Sequence, residues 1–277
     1  MNKWEYSSRC LESLLSLEYR PLEICLVDNG STDETPERLR EFHEKAKAAD
    51  VLIRQKFNDT NVGAATGRNH GMELASGDYI VFLDNDMVVR TRSWIEKMLA
   101  EFEAHPEVGA VCPKLLYPFE PLLIQNAGLV ISPTGRADYV GRGKGHDDPE
   151  HNQRRELQAA ISACLMIPRD VVEQVGEMDE QFNPVQFEDI DYCYRIRQLR
   201  RTVIYLPSVE MYHFENVTTD NTPGLGFKRQ TVVNGMKFKR KWQHVFSKEN
   251  GPPDSEMRWE EIPRVPLSEI GELETLP

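Results

Sequence analysis

A chain of 277 residues with 40% hydrophobic, 9% aromatic and 28% charged residues has ordinary globular composition, with length for one large α/β domain or two small ones. The formal net charge of −12 argues against a general nucleic-acid binder, whose affinity rests on clustered positive charge. The cysteines, Cys10, Cys25, Cys112, Cys164 and Cys193, are odd in number and form no C-x-x-C pair, so they read as free thiols in a reducing compartment. No apolar run approaches a membrane span and no signal peptide is evident. A cytoplasmic location is expected, and the sequon Asn216-Val217-Thr218 is expected to mean nothing.

In chain order, residues 7–16 (SSRCLESLLS) place Leu11, Leu14 and Leu15 at helical spacing behind a serine pair that offers an N-cap. Residues 23–28 (EICLVD) predict a short buried strand, closed by NGSTD, and Asp33 is placed to cap the helix TPERLREFHEKAKAAD. A weaker strand over 51–54 leads into a Gly/Ala/Asn-rich loop that opens a small-residue helix. Residues 77–86 (GDYIVFLDND) then carry the apolar run Ile80–Leu83 straight into Asp84, Asn85 and Asp86. This alternation is the rhythm of a doubly wound sheet, which binds ligands at the carboxyl ends of its strands. Two carboxylates one residue apart repel each other and are costly to desolvate, so the pair suits a hard divalent cation, Mg²⁺ or Mn²⁺; the alternative is a solvated acidic turn.

Further on, 93–105 predict an amphipathic helix and 108–112 a strand. Residues 113–155 are loop-rich with short β-like pieces such as AGLVIS, the kind of insertion that carries function. A helix starts over 170–175. FEDIDYCYRIRQL puts acids at a helix start, as the helix dipole favours, and TVIYLP predicts a strand before SVEMYHFE. Residues 227–246 predict a basic amphipathic helix. Its Phe238 and Trp242, beside Lys237–Lys241, either pack on the core or rest on anionic lipid. The division expected is one domain over 1–247, with 248–277 a flexible or surface-draped tail.

LVDNGSTD, NVGAATGRNHG, GDYIVFLDND, ISACLMIPRDVVEQVGEMDE, FEDIDYCYR and MYHF, in that order from about Asn2 to Trp242, resemble the glycosyltransferases of family 2. These are inverting, nucleotide-sugar-dependent enzymes of the GT-A fold. The resemblance implies an α/β fold of GT-A type, a doubly wound, mainly parallel sheet flanked by helices, with 1–115 binding nucleotide and 116–247 binding acceptor. It implies that Asp28 accepts hydrogen bonds from the nucleotide base; turn capping is the plainer role for that residue. Asn61, Gly63, Arg68 and Asn69 would lie at the nucleotide or its phosphates, in a glycine-rich loop whose helix N-terminus suits an anion.

Asp84 and Asp86 match the D-x-D motif; Asp86 is expected as the direct ligand of Mg²⁺ or Mn²⁺, with Asp84 on the ribose or a metal-bound water. Asp189 is expected as the base that deprotonates the acceptor hydroxyl, with Glu188 the runner-up and Asp191 a structural or hydrogen-bonding partner counted with the substrate-binding residues. His213 matches a histidine near the diphosphate or metal, packing in the core being the alternative; Arg195 pairs either with the acids or with phosphate. One departure stands out: the family begins with an apolar strand ending near an Asn, here Asn2, and that first strand is missing.

The implied donor is a UDP-, GDP- or dTDP-sugar and the implied acceptor a glycan or lipid-linked hydroxyl, with peripheral contact at the inner face of the cell membrane. The stretch GLVISPTGRADYVGRGKGHDDPEHNQRRE resembles rhamnosyltransferase-like and other polysaccharide-building bacterial members, which points to cell-surface assembly. A sugar-phosphate nucleotidyltransferase would also need carboxylate-bound metal, but its usual glycine-rich start is absent and FEDID would go unexplained. A catalytically inactive binding protein is the third reading, raised by the missing strand.

Overall fold

The computed structural model describes residues 1–215, 217 and 226–277, so Asn216 and Thr218 of the sequon lie outside the described residues. Helix α1 (Trp4–Leu15) begins earlier than its serines suggest. Lys3 stands at its N-cap in a left-handed conformation without a side-chain cap, and Ser7 bonds back to the Lys3 carbonyl from inside the first turn. Strands β1 (Leu22–Asn29) and β2 (Val51–Asn58) pair in parallel across helix α2 (Thr35–Ala48), with Leu22 opposite Val51 and Asn29 opposite Asn58. The N-cap position of α2 is Glu34, and Asp33 just before it accepts from the Thr35 N–H at 3.0 Å.

Helix α3 (Ala64–Leu74) leads to β3 (Tyr79–Leu83), β4 (Met87–Val89), α4 (Trp94–Ala104) and β5 (Val108–Leu116). The insertion forms short strands β6 (Ile124–Asn126), β7 (Leu129–Ile131), β8 (Ala137–Tyr139) and β9 (Arg155–Leu157). Then come β10 (Cys164–Pro168), α5 (Arg169–Val175), α6 (Glu188–Gln198), β11 (Thr202–His213) and α7 (Phe227–Trp242). The main sheet is mixed, in the order β3-β10-β5-β11-β4, with β6 beside β5 and β9 beside β11. β1 and β2 form a separate two-stranded sheet, and β7 pairs with β8. β5 is buried along its whole length, and its Pro113 sits opposite Leu206, where the pairing with β11 slips, a place where a missing N–H is tolerated.

Two apolar clusters cover the two faces. Leu11, Leu14, Phe42, Met98 and Phe102 from α1, α2 and α4 fill one. Ala65, Val171, Tyr192, Tyr194, Phe238 and Trp242 from α3, α5, α6 and α7 belong to the other. Phe238 and Trp242 are therefore core residues and not a lipid-facing pair, which corrects that option for α7. All five cysteines are free, and four are buried. No helix among the described residues is long and apolar enough to cross a membrane. Residues 248–277 lie along the body: Glu249 pairs with Arg197 at 2.7 Å, Ile270 is buried, and the Leu276 N–H donates to the Arg90 carbonyl at 2.6 Å.

Candidate active site

The acidic turn after β3 lines a cleft of about 1690 Å³. Asn85, between the two aspartates, donates to Ser7 Oγ of α1 at 2.9 Å, and all three residues of the turn line the cleft. Strand pairing supplies the third group. β11 runs antiparallel to β4 with His213 opposite Met87, which brings the imidazole beside Asp86, Nε2 to Oδ1 3.4 Å. The ligand atoms of Asp84, Asp86 and His213 all lie within 4.8 Å of one another. Two hard carboxylates and an imidazole fit Mn²⁺ or Mg²⁺ as a donor set.

The surroundings of His213 fix which nitrogen faces the acids. Gln125 Nε2 donates to Glu215 Oε1 at 3.0 Å, so the Gln125 carbonyl oxygen faces His213 Nδ1 at 3.1 Å. Arg142 at 2.8 Å and the Tyr117 hydroxyl at 2.8 Å hold Glu215 in turn. With Nδ1–H bonded to Gln125, Nε2 is left for Asp86 or a cation. Burial disfavours the imidazolium, yet the charge and hydrogen bond of Asp86 raise the His213 pKa overall. Neither Gln125, Glu215 nor Arg142 was singled out from sequence; the only signal was the loop-rich insertion that carries two of them.

Arg68 crosses the cleft, with Nη2 2.7 Å from Asp84 and Nη1 3.3 Å from Glu188. It thus joins the acidic turn to the start of α6. Glu188 is buried, and its second oxygen has no hydrogen-bond partner. Burial and then the neighbouring Asp189 charge push its pKa up to about 7, against the pull of Arg68. Asp189 is partly exposed in the cleft and accepts from the Ile190 N–H at 2.8 Å; burial also raises its pKa. Asp28, the next-to-last residue of β1, lies in the same cleft, accepting from the Ser31 N–H at 2.9 Å and from the Ser31 hydroxyl.

Two expected residues take other positions. Asp191 is fully buried on the far side of α6, where Trp242 Nε1 donates to it at 2.8 Å and Arg195 and Lys241 neutralise it at 3.0 and 2.7 Å. It is a structural anchor, and Arg195 is its partner. Asn69 is buried against Met178, accepting from its N–H at 2.8 Å and donating to its carbonyl at 3.0 Å, away from the cleft. The opening of α3 is not a free anion site either. The Ala64 N–H donates to the Pro184 carbonyl at 2.7 Å and the Ala65 N–H to Asn183 at 3.1 Å. Asn61 and Gly63 do line the cleft, with Asn61 accepting from the Gly63 N–H at 2.9 Å. A second acid–histidine group, Asp148, Glu150 and His151, is a turn in which Asp148 accepts from the Glu150 N–H.

A mixed α/β fold with a metal-competent acidic cleft at its strand ends is the class this geometry defines. The sequence model of Glycosyl transferase family 2 matches residues 1–176, and the chain belongs to that family. It is 32% identical over 253 residues to the glucosyl-dolichyl phosphate glucuronosyltransferase of Haloferax volcanii, covering 88% of this chain and 72% of that protein. It is 28% identical over 218 residues to the O-antigen biosynthesis protein RfbC of Myxococcus xanthus, covering 75% of this chain but 16% of that one. An uncharacterized protein of Sinorhizobium fredii, y4gI, is 29% identical over 248 residues, of which this chain spans 26%. Among solved structures, GalNAc-T7 with UDP, GalNAc and Mn²⁺ superposes with a TM-score of 0.70 at 16% identity, covering 88% of this chain and 47% of that one. The mannosyltransferase PcManGT of Pyrobaculum calidifontis, in complex with GDP-Man and Mn²⁺, gives 0.59 at 18% identity, covering 89% and 66%. These likenesses establish a GT-A fold.

Proposed function

We propose that the protein is a metal-dependent inverting glycosyltransferase that moves a sugar from a nucleotide-diphosphate sugar to a hydroxyl acceptor. The observation that carries this reading is one cleft in which Asp84, Asp86 and His213 converge on one side and Glu188 and Asp189 on the other, joined by Arg68. Asp86, Asp84 and His213 would hold Mn²⁺ or Mg²⁺, which as a Lewis acid offsets the charge that builds on the departing nucleotide diphosphate. Asp28 binds the nucleotide, with Asn61 and Gly63 beside it, both bonded to Asn29 of β1. Inversion by single displacement needs a base on the face of the sugar opposite the leaving group. Asp189 is that base: its raised pKa makes it a stronger proton acceptor than an ordinary aspartate, and it is the more exposed of the two acids. Glu188, facing Arg68, keeps the arginine aimed across the cleft.

In this reading residues 1–115 form the donor side and 116–247 the acceptor side, in cell-surface polysaccharide assembly. The O-antigen relative supports that setting. Peripheral contact with the inner face of the membrane is supported by the exposed Val232, Val233 and Met236 on α7, flanked by exposed Lys228, Arg229, Lys239 and Arg240. The test is release of nucleoside diphosphate from UDP-, GDP- and dTDP-sugars with glycan or lipid-linked acceptors, with and without Mn²⁺. Turnover with one donor is expected to require the metal and to fall by about 10²–10⁴-fold in Asp189→Asn. Undiminished turnover in that variant removes Asp189 from the role of base.

A further inference from the structure

The chain beyond α7 reaches back to the cleft that holds the acidic turn: Trp259, Ile262 and Pro263 are among the residues that line it. Arg142 fastens this segment. Its Nε donates to the Glu260 carbonyl at 2.8 Å, and its guanidinium lies 3.9 Å from the centroid of the Trp259 ring. Tyr139 meets the same ring edge-on, with centroids 5.4 Å apart and planes at 70°. Arg142 also pairs with Glu215 at 2.8 Å, and Gln125 links Glu215 to His213. A chain of side-chain contacts therefore runs from Trp259 to the candidate metal ligands.

Trp94 and Trp242 are buried and Trp4 is partly so, but Trp259 is 56% exposed. A single exposed apolar side chain is ordinary on any surface. This one differs because a cation covers the ring and a phenol abuts it, inside a cleft lined by carboxylates. Its rotamer is set before anything binds, so little side-chain freedom remains to be lost. Tyr139 supplies a polar group at the same place. It lines the cleft, and its hydroxyl has no hydrogen-bond partner among the described residues. Burial, then the charges of Glu215 and Asp189, raise its pKa, so the hydroxyl keeps its proton. A pyranose ring presents a face of polarised C–H bonds and a rim of hydroxyls. An indole face matches the first, and a free phenol hydroxyl bonds to the second.

We infer that Trp259 and Tyr139 form a saccharide subsite, in which the terminal sugar of a glycan acceptor stacks on the exposed part of the indole. The inference rests on the reading of the cleft as that of a glycosyltransferase and narrows its acceptor to one that ends in a sugar ring. An exposed platform suits the acceptor, which is the larger substrate and extends into solvent. Arg142 is a positioning residue: through Glu215 and Gln125 it fixes the platform relative to His213.

The test is acrylamide quenching of tryptophan fluorescence in the full chain, titrated with the methyl glycosides of glucose, galactose, mannose, rhamnose and N-acetylglucosamine. At least one glycoside is expected to shield the exposed indole. Saturation-transfer NMR is expected to show its strongest signals from the C–H bonds of one ring face. By the same NMR titration, Trp259→Ala is expected to weaken binding about tenfold, and Trp259→Tyr to recover much of the loss. Tyr139→Phe, which keeps the ring, is expected to weaken it by a smaller factor. Absence of shielding by every glycoside, or equal binding by Trp259→Ala, overturns the inference. Stronger shielding by UDP or GDP than by any glycoside also overturns it, because the indole then serves a nucleobase. None of these readouts needs sugar transfer. Glycoside binding that depends on Trp259, in a protein that transfers no sugar, sinks the transferase reading and leaves the saccharide subsite. Transfer with the same acceptor KM in Trp259→Ala does the reverse.

Discussion

Asp84 and Asp86 stand one residue apart in different environments, and this divides their roles. Asp86 is buried against His213, whereas Asp84 is one-third exposed and already tied to Arg68. Burial raises the Asp84 pKa, with Arg68 opposing. Asp86→Ala is therefore expected to abolish Mn²⁺ binding measured by titration calorimetry, and Asp84→Ala to weaken it by a smaller factor. Equal affinities in the two variants would reverse the assignment. Glu188 carries a pH signature that does not depend on metal. Its folded-state pKa of about 7 lies above the ordinary 4.5, so the folded protein binds that proton more tightly than the unfolded chain. The stabilisation is complete below about pH 4.5 and is lost as pH rises through about 7. Glu188→Gln, which keeps the shape without the charge, is expected to gain about 1–3 kcal/mol on the native protein between pH 5 and pH 8. Denaturant midpoints in chelator at the two pH values measure this, and parallel curves would show that Glu188 ionises normally.

At the scale of elements, α7 sets the position of the acids on α6. Gln186 and Phe187 enter α6 with φ of 83° and 74°, conformations that non-glycine residues adopt only under constraint. The constraint comes from Asn234, fully buried in α7, whose amide donates to the carbonyls of Val185 and Gln186 at 2.9 and 3.1 Å, and to that of Phe182. Gly235 beside it leaves room for the Phe187 ring, which an added Cβ would meet at 3.2 Å. Asn234→Ala leaves those carbonyls without their donor. It is expected to cost about 1–3 kcal/mol in stability and to lower kcat more than it changes donor KM, because the displaced group is the proposed acceptor-side base. A loss of stability with kcat intact would separate α7 from the chemistry. The acids of FEDIDYCYR were legible as a helix start, and the helical period separates them further. Asp189 and Asp191 lie about 200° apart around the axis, so only one can face the cleft. Which one does was not legible, since it depends on Trp242 and Lys241, some fifty residues further along the chain.

Over the whole molecule, what could be read from sequence is what is local: the order of elements, the acidic turn after an apolar strand, and the D-x-D, FEDID and MYHF groups. What could not be read is carried by distant partners. Gln125 meets Glu215 and His213 across about ninety residues, and residues 248–277 contact the body through Glu249, Ile270 and Leu276, with no periodicity to announce it. β1 and β3 belong to two separate sheets among the described residues, and both line the cleft between them. The candidate metal site bridges parts of the fold that are far apart in sequence: Asp84 and Asp86 follow β3, and His213 ends β11. A cation bound there stabilises only the folded chain, since unfolding disperses its ligands. Mn²⁺ at about a hundred times its dissociation constant is thus expected to add about 2.7 kcal/mol to the unfolding free energy, reversed by chelator. His213→Ala and Asp86→Ala should each remove most of that increment, whereas Asp191→Asn, though destabilising in itself, should leave it in place because Asp191 lies on the core side of α6. An increment that survives in Asp86→Ala would show that the cation binds elsewhere.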